Sequence, residues 1–491
     1  MKKLLAMLLV LAMVMGLAAC GGDPASTTSA LNNTPAISPS DNPGGNTTPA
    51  AKGNFTVPTN GYDGSDVTIT FYHTMGSNLH DVLVIYIEEF NKLYPNIHIQ
   101  EEQVGGYDDV RDQISTQITV GNQPNIAYCY PDHVALYNLA KAVATLDDLI
   151  DSKIEVTRAD GSKEILGLTD EQKADFIEGY YNEGRQFGDG LMYTMPFSKS
   201  TEVLYYNKTF FDEHNLTLPK TWDEMEELCK QIKAIDPNSI PLGYDSEANW
   251  FITMCEQLKS PYTSATEPHY VFDNDTNKAF VKKFRSWYQN GLMTTQTIYG
   301  AYTSGLFVAE SGTRSYMSIG SSAGATHQRP TAVDGVYPFD VGITTIPQAD
   351  ASNPKVISQG PSVCIFQKSN PQEVVASWLF VKFLTTSVEF QAEFSIASGY
   401  VPVLKSVQTV PAYADFLNKA DGGSHISALS AKVCLEQVDA YYTSPAFNGS
   451  SRARTEVGKL MSKCFSSPAS NEDKMIADAF EDAVDECEYG Q

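Results

Sequence analysis

Gly320-Ser321-Ser322-Ala323-Gly324 spells G-x-S-x-G, the spacing that lifts a catalytic serine onto a strained turn between a strand and a helix. Acyl transfer from Ser322 needs a strand before it, for which 316–319 is suited, and a downstream acid and base, for which Asp340 and His425 stand in order. Short runs of Gly, Ser and Ala also match this pattern by chance. Asp132 is a second candidate, in a loop beside Tyr128, Tyr130 and His133. A carboxylate there accepts two hydroxyl hydrogen bonds from a polyhydroxylated ligand, and its charge strengthens them. The alternative is a solvated loop aspartate or a helix cap. The adjacent pairs Glu88/Glu89, Glu101/Glu102, Asp108/Asp109 and Asp147/Asp148 would cleave a glycosidic bond only if two carboxyls faced it about 5–9 Å apart. Adjacency in sequence reads instead as solvated surface.

These residues are positioned by alternating strands and helices. Val67, Ile69 and Phe71 alternate with Thr68, Thr70 and Tyr72, the period of a half-buried strand. Leu79, Val82, Leu83, Tyr86, Phe90 and Leu93 then follow helical spacing up to Pro95. Strands over 97–103 and 125–130 and helices over 110–118 and 134–139 continue the alternation, which argues for a parallel α/β sheet. Ligands of such sheets sit in loops beyond the carboxyl ends of the strands, here 72–78, 105–109 and 130–133. Residues 153–165 read as an exposed hairpin. Thr221-Trp222-Asp223-Glu224 is a capping box opening a helix over 222–235. Further helices are predicted over 250–258, 277–290, 374–384, 386–395, 428–439, 451–463 and 472–486, with strands over 341–346 and 362–366.

Composition narrows the function classes. A formal charge of −25 argues against nucleic acid and polyanionic partners. Hydrophobic residues make up 42% of the chain, enough for a large core. Of the 8 cysteines, one stands at position 20; the other seven are scattered, with no CxxC or Cys/His ligand spacing. Neither a metal site nor a cofactor is expected. Lys2 and Lys3 precede an apolar run that ends in Leu17-Ala18-Ala19-Cys20, the layout of a secretory signal. These last four residues resemble the bacterial lipobox, which implies lipid modification at Cys20. Residues 21–64, rich in Ser, Thr, Pro, Asn and Gly, are read as a disordered tether spanning roughly 35–40 Å.

Pro196-Phe197-Ser198, Leu204-Tyr205-Tyr206-Asn207-Lys208 and Pro219-Lys220-Thr221-Trp222-Asp223-Glu224 follow one another in an order that resembles the crossover of the sugar- and glycerol-phosphate-binding family of extracellular solute-binding proteins. Gly399-Tyr400-Val401-Pro402-Val403 resembles the Gly-Tyr-x-Pro-Val signature of the same family. The resemblance implies a bilobed α/β molecule of the periplasmic-binding-protein type II fold, two discontinuous α/β lobes joined by hinge crossovers. Signal 1–19 and tether 20–64 precede lobe 1 (65–201 plus 319–370) and lobe 2 (202–318 plus 371–491), with crossings near 201–203, 317–319 and 368–372.

The function implied is capture of a neutral carbohydrate or polyol by hinge closure for the permease subunits of an ATP-driven (ABC) importer. The protein is expected to be a monomer held through Cys20 to the bilayer at the outer face of the cell membrane, with no nucleic-acid partner and no catalytic residues. The aromatic residues placed in cleft loops are Tyr72, Tyr107, Trp250 and Tyr400, flat surfaces suited to the apolar faces of sugar rings. Trp250 opens a helix whose Phe251, Met254 and Leu258 are expected to face the core, leaving its own indole to stack on ligand. Asp132, Ser200, Ser321, Ser322 and Gly360 complete the expected site; a turn at 320–324 would hold ligand oxygens with serines and free amides. Ser444-Pro445-Ala446-Phe447-Asn448-Gly449 lacks the arginine that glycerol-phosphate binders carry there, which argues against a phosphate monoester, although Arg452 and Arg454 follow. Glycerol 3-phosphate or a glycerophosphodiester remains the alternative ligand, and an exported serine esterase using Ser322 the enzymatic alternative.

Overall fold

The computed structural model describes residues 53–489; the expected signal segment and Cys20 lie outside them. The part of the expected tether that is described, 53–64, packs on the body instead, with Phe55 buried, Asn54 Nδ2 donating to Val143 O at 2.8 Å and Gln372 Nε2 donating to Gly61 O at 3.1 Å. In chain order the strands are β1 (Val67–His73), β2 (Ile97–Gln103), β3 (Ile126–Cys129), β4 (Glu155–Thr157), β5 (Lys163–Ile165), β6 (Thr194–Pro196) and β7 (Ser200–Asn207). There follow β8 (Leu242–Tyr244), β9 (Met293–Thr295), β10 (Met317–Ser321), β11 (Val341–Thr344), β12 (Val356–Gln359), β13 (Ser362–Ile365) and β14 (Tyr441–Tyr442). One sheet runs β2-β1-β3-β13-β6; a second runs β14-β12-β7-β10-β8-β9, with β11 also paired to β7.

The early alternation produces the expected sheet. β1 pairs in parallel with β2 and β3, and β13 closes antiparallel against β3 and β6. Between β1 and β2 the helix Ser77–Leu93 buries Leu83, Tyr86 and Phe90, residues three and four apart on one face. Each such side chain contributes about 1.5–3 kcal/mol of burial. The helix Trp222–Ile235 begins as its capping box requires: Thr221 Oγ1 accepts from Glu224 N at 3.2 Å, and Glu224 Oε2 accepts from Thr221 N at 3.1 Å. The hairpin β4–β5 is pinned to the body rather than free, because the buried side of Glu164 accepts from Tyr94 Oη (2.5 Å), Arg158 Nε (3.0 Å) and Lys382 Nζ (3.0 Å). Among the described residues no helix is long and apolar enough to cross a membrane, and all seven described cysteines are buried and unpaired.

Strand pairing corrects the expected boundaries. Of 319–370 only β13 joins the first sheet; β10, β11 and β12 all hydrogen-bond within the second, β10 between β7 and β8. The helix Pro371–Thr386, assigned above to lobe 2, packs on the first sheet, where Phe380 lies 6.3 Å from Phe71 and Trp378 Nε1 donates to Leu166 O. The next helix, Val388–Ser398, packs there too, with Phe390 5.0 Å from Tyr86. Pro371–Thr386 is apolar on nearly every side and Val388–Ser398 has no single apolar stripe, so periodicity gives no preferred partner.

The chain passes from the first sheet to the second between β6 and β7, returns between β12 and β13, and passes to the second once more between β13 and β14. At the return Gly360 has φ +93°, and a Cβ there would lie 2.6 Å from Ser198 O and 2.8 Å from Lys199 Cα. Only glycine lets the two crossing segments approach this closely.

Candidate functional site

The loops at the carboxyl ends of strands in both sheets converge on one cleft. After β3 the chain turns at Tyr130 into the helix Pro131–Tyr137. After β8, Asp245 and Ser246 lead into the helix Glu247–Gln257, which Ser246 caps by accepting from Asn249 N. Gln296 opens the short helix after β9, and Ser321 ends β10. Together with the first turns of the helix Ser450–Ser466, these loops enclose two adjoining cavities of about 550 Å³ and 610 Å³. Ser246, Gln296 and Gln359 line both.

The first cavity is lined by Tyr130, Asp132 and Glu183, by the cations Arg111, Arg454 and Lys459, and by Gly360 at the crossing. Asp132 Oδ1 also accepts from His133 N at 3.1 Å within the first turn of its helix, where a carboxylate is favoured. Glu183 is buried beside Lys199, its Oε1 2.8 Å from Lys199 Nζ, while Oε2 has no partner among the described residues. Arg454 donates to Asn249 Oδ1, and Asn249 Nδ2 donates to Glu202 Oε1 at 3.0 Å. Tyr107 lies behind Tyr130, rings 4.7 Å apart, with Tyr400 beside it.

Glu202 borders the second cavity, fully buried, and also accepts from Tyr244 Oη at 2.6 Å. Burial pushes its carboxyl from the usual 4.5 up to about 7, against the opposing pull of the Tyr244 and Asn249 hydrogen bonds. Because the folded state holds this proton more tightly than the unfolded chain, the stability it contributes is full below about pH 4.5. That contribution is lost as pH rises to about 7, amounting to up to about 3 kcal/mol. Glu202→Gln is therefore expected to gain stability relative to the parent at pH 8 but not at pH 4.5, measured by urea unfolding at both. An identical difference at the two pH values would refute it. Asp245, also raised by burial, accepts from Thr303 N (2.6 Å) and Thr303 Oγ1 (2.7 Å).

Of the residues expected from sequence, Asp132, Ser321 and Gly360 line the cavities, and Tyr107 and Tyr400 stand behind Tyr130. Four do not reach the cleft. Tyr72 is buried in the first sheet's packing, its hydroxyl accepting from Gln117 Nε2 at 3.0 Å. Ser200 is buried in β7, opposite Gln359. Ser322 is 1% exposed, its Oγ accepting from Thr201 N and its carbonyl from Ser430 Oγ. His425 pairs with Asp421 instead of Ser322, and no hydrogen bond among the described residues joins the three triad candidates. Trp250 is 0% exposed: its helix is enclosed on almost all sides, and its ring stacks on Tyr244 at 4.6 Å and 11°. Leu258, expected inside, is the residue that reaches solvent.

Sequence reasoning missed Glu183, Glu202, Asp245 and Tyr302, and named Arg454 only as following 444–449, without placing it in the cleft. Asp245 had the available signal, since it directly follows a strand. Arg454 corrects the expectation of a cleft without a cation: the missing arginine of 444–449 has a counterpart one helical turn into Ser450–Ser466.

The fold has parallels among solved proteins. The cyclic alpha-maltosyl-1,6-maltose binding protein of Arthrobacter globiformis superposes with TM-score 0.66 at 20% identity, over 87% of this chain and 100% of that one. UgpB of Mycobacterium tuberculosis, solved with glycerophosphocholine, gives TM-score 0.66 at 16% identity, over 86% and 99%. In sequence, the sn-glycerol-3-phosphate-binding periplasmic protein UgpB of Escherichia coli (strain K12) is 23% identical over 372 residues, 72% of this chain and 78% of that protein. The profile of the bacterial extracellular solute-binding proteins matches residues 86–419. With that match spanning more than half its length, and with the two-sheet architecture and cleft described above, the chain belongs to the bacterial extracellular solute-binding protein family.

Proposed function

We propose that this protein captures a neutral carbohydrate or polyol in the cleft and delivers it to the permease subunits of an ATP-driven importer, without turnover. The observation that carries this reading is the lining of the cleft: Tyr130 and Tyr262 beside Asp132, Gln296, Gln359 and backbone at Gly360. Flat aromatic faces next to hydroxyl-accepting groups match the apolar faces and polar rims of sugars. The two sheets, each with the helices packed on it, form the two lobes. Closure of one on the other about the segments at Ser198–Ser200 and Gly360 shifts the population toward a closed form that the permease recognises. Export, cleavage before Cys20 and a lipid anchor on that cysteine would hold the protein, as a monomer, at the outer face of the membrane.

A second reading has a specific observation behind it. Arg454 and the uncapped start of the helix Ser450–Ser466 stand on one wall, groups that attract a phosphodiester. Against it, Arg454 is already engaged with Asn249, and Asp132 and Glu183 line the same cavity.

A thermal-shift screen of mono- and oligosaccharides, polyols, glycerol 3-phosphate and glycerophosphocholine separates the two. A ligand at one hundred times its Kd is expected to stabilise the protein by about 2.7 kcal/mol. The ligand found should also reduce the radius of gyration in solution scattering. Stabilisation by phosphate compounds alone would replace the first reading with the second, and an unchanged scattering profile at saturation would remove closure.

A further inference from the structure

The 610 Å³ cavity contains more unspent recognition groups than a single bound ring in the neighbouring 550 Å³ cavity could use. Each is of a size that holds a small ligand on its own. They communicate past Ser246, Gln296 and Gln359, so one elongated ligand would occupy both.

Three features of the second cavity point to its occupant. Tyr302 stands at its lip with 66% of its surface exposed, although a large aromatic ring gains nothing from water. The backbone beside that ring is fixed, because Thr303 is tied to Asp245 Oδ1 through both N and Oγ1. Gln328 is 3% exposed, yet its Oε1 has no partner among the described residues. Buried amide oxygens are rarely left unpaired, and the Gln328 side chain borders the cavity. Asp245 Oδ2 is also nearly free, its one hydrogen bond among the described residues coming from Gln328 Nε2 at 3.5 Å. Gly320 leaves room over it, since a Cβ at that position would lie 2.7 Å from Oδ2.

We infer that this cavity is a second ring subsite and that the ligand is an oligosaccharide of at least two units. One ring lies in the first cavity. The next stacks on Tyr302, with its hydroxyls donating to Gln328 Oε1 and Asp245 Oδ2. This inference rests on the carbohydrate reading and adds the length of the ligand and the residues that measure it.

Calorimetric titration of the full chain with glucose, maltose and maltotriose, and with mannose, mannobiose and mannotriose, tests it. In the series that binds, the trisaccharide is expected to bind at least about tenfold more tightly than its monosaccharide. Tyr302→Ala should weaken the trisaccharide roughly three- to tenfold and leave the monosaccharide unchanged. Tyr302→Phe, which keeps the ring face, should retain parental affinity, and Gln328→Ala should repeat the length-selective loss. Equal affinity for one and three units, with Tyr302→Ala silent or weakening both alike, overturns the subsite and leaves the carbohydrate reading standing. Binding of no saccharide of either series overturns both.

Discussion

Trp250→Ala is expected to lower the unfolding free energy by about 3–5 kcal/mol while the folded fraction keeps its ligand affinity within about threefold. The indole is wholly buried among Tyr244, Trp222, Phe284 and Phe465, with ring centroids 4.6, 5.7, 4.3 and 6.0 Å away. Removing it deletes apolar contact and opens a cavity that these rings cannot fill without leaving their stacked and tilted geometries. Its Nε1 makes no hydrogen bond among the described residues, so the loss is one of packing, and Trp250→Phe should cost less than half as much. Urea unfolding gives the first quantity, and titration of the folded variant with a saccharide that stabilises the parent gives the second. A variant that melts normally but loses that saccharide would return Trp250 to the site.

Lys199→Met is expected to cost a similar 3–5 kcal/mol, for an electrostatic reason. Lys199 is fully buried, and its Nζ donates to Glu183 Oε1 at 2.8 Å, Ser362 Oγ at 3.0 Å and Gly360 O at 3.3 Å. Methionine keeps the apolar stem but leaves the Glu183 carboxylate buried without a counter-charge. Removing one partner of such a pair is far more damaging than removing both. Adding Glu183→Gln to Lys199→Met should therefore recover at least about 1 kcal/mol of the loss, the sign of a coupled pair. Additive losses in the double variant would show that the ion pair contributes nothing beyond packing. Because Lys199 joins the Glu178–Glu183 helix to both crossing segments, the single variant should also lose the cooperativity of unfolding.

The cleft residues that were legible in the sequence share a position. Asp132 lies in the turn from β3 into a helix and Ser321 ends β10, places marked by local residue order, while Gly360 sits at the crossing between β12 and β13. The residues that were misread share a different property. Tyr72, Ser200 and Ser322 lie close to strand ends as well, but the side chains of Tyr72 and Ser322 are taken by Gln117 and Thr201, distant in sequence, and Ser200 is buried in the ladder opposite Gln359. Tyr302 and Arg454 carried no periodic or motif signal. Tyr302 acquires its place because Thr303 is held by Asp245, 58 residues earlier, and Arg454 because its helix packs against Glu247–Gln257.

Local order along the chain was enough for the alternation of strands and helices and for the capped start of Trp222–Ile235, and the motifs at 196–224 and 399–403 were enough for the family. Hydrophobic period, capping chemistry and proline positions act over a few residues and need no knowledge of the rest of the chain. Only the tertiary structure decided which sheet β10, β11 and β12 enter, on which sheet the helix Pro371–Thr386 packs, and whether Trp250 meets solvent or core. A strand or helix buried on every side is satisfied by any apolar partner, so its choice depends on which long-range contacts close together. The wall of a cleft is the remainder of that choice: the side chains left facing the gap after both cores have been filled.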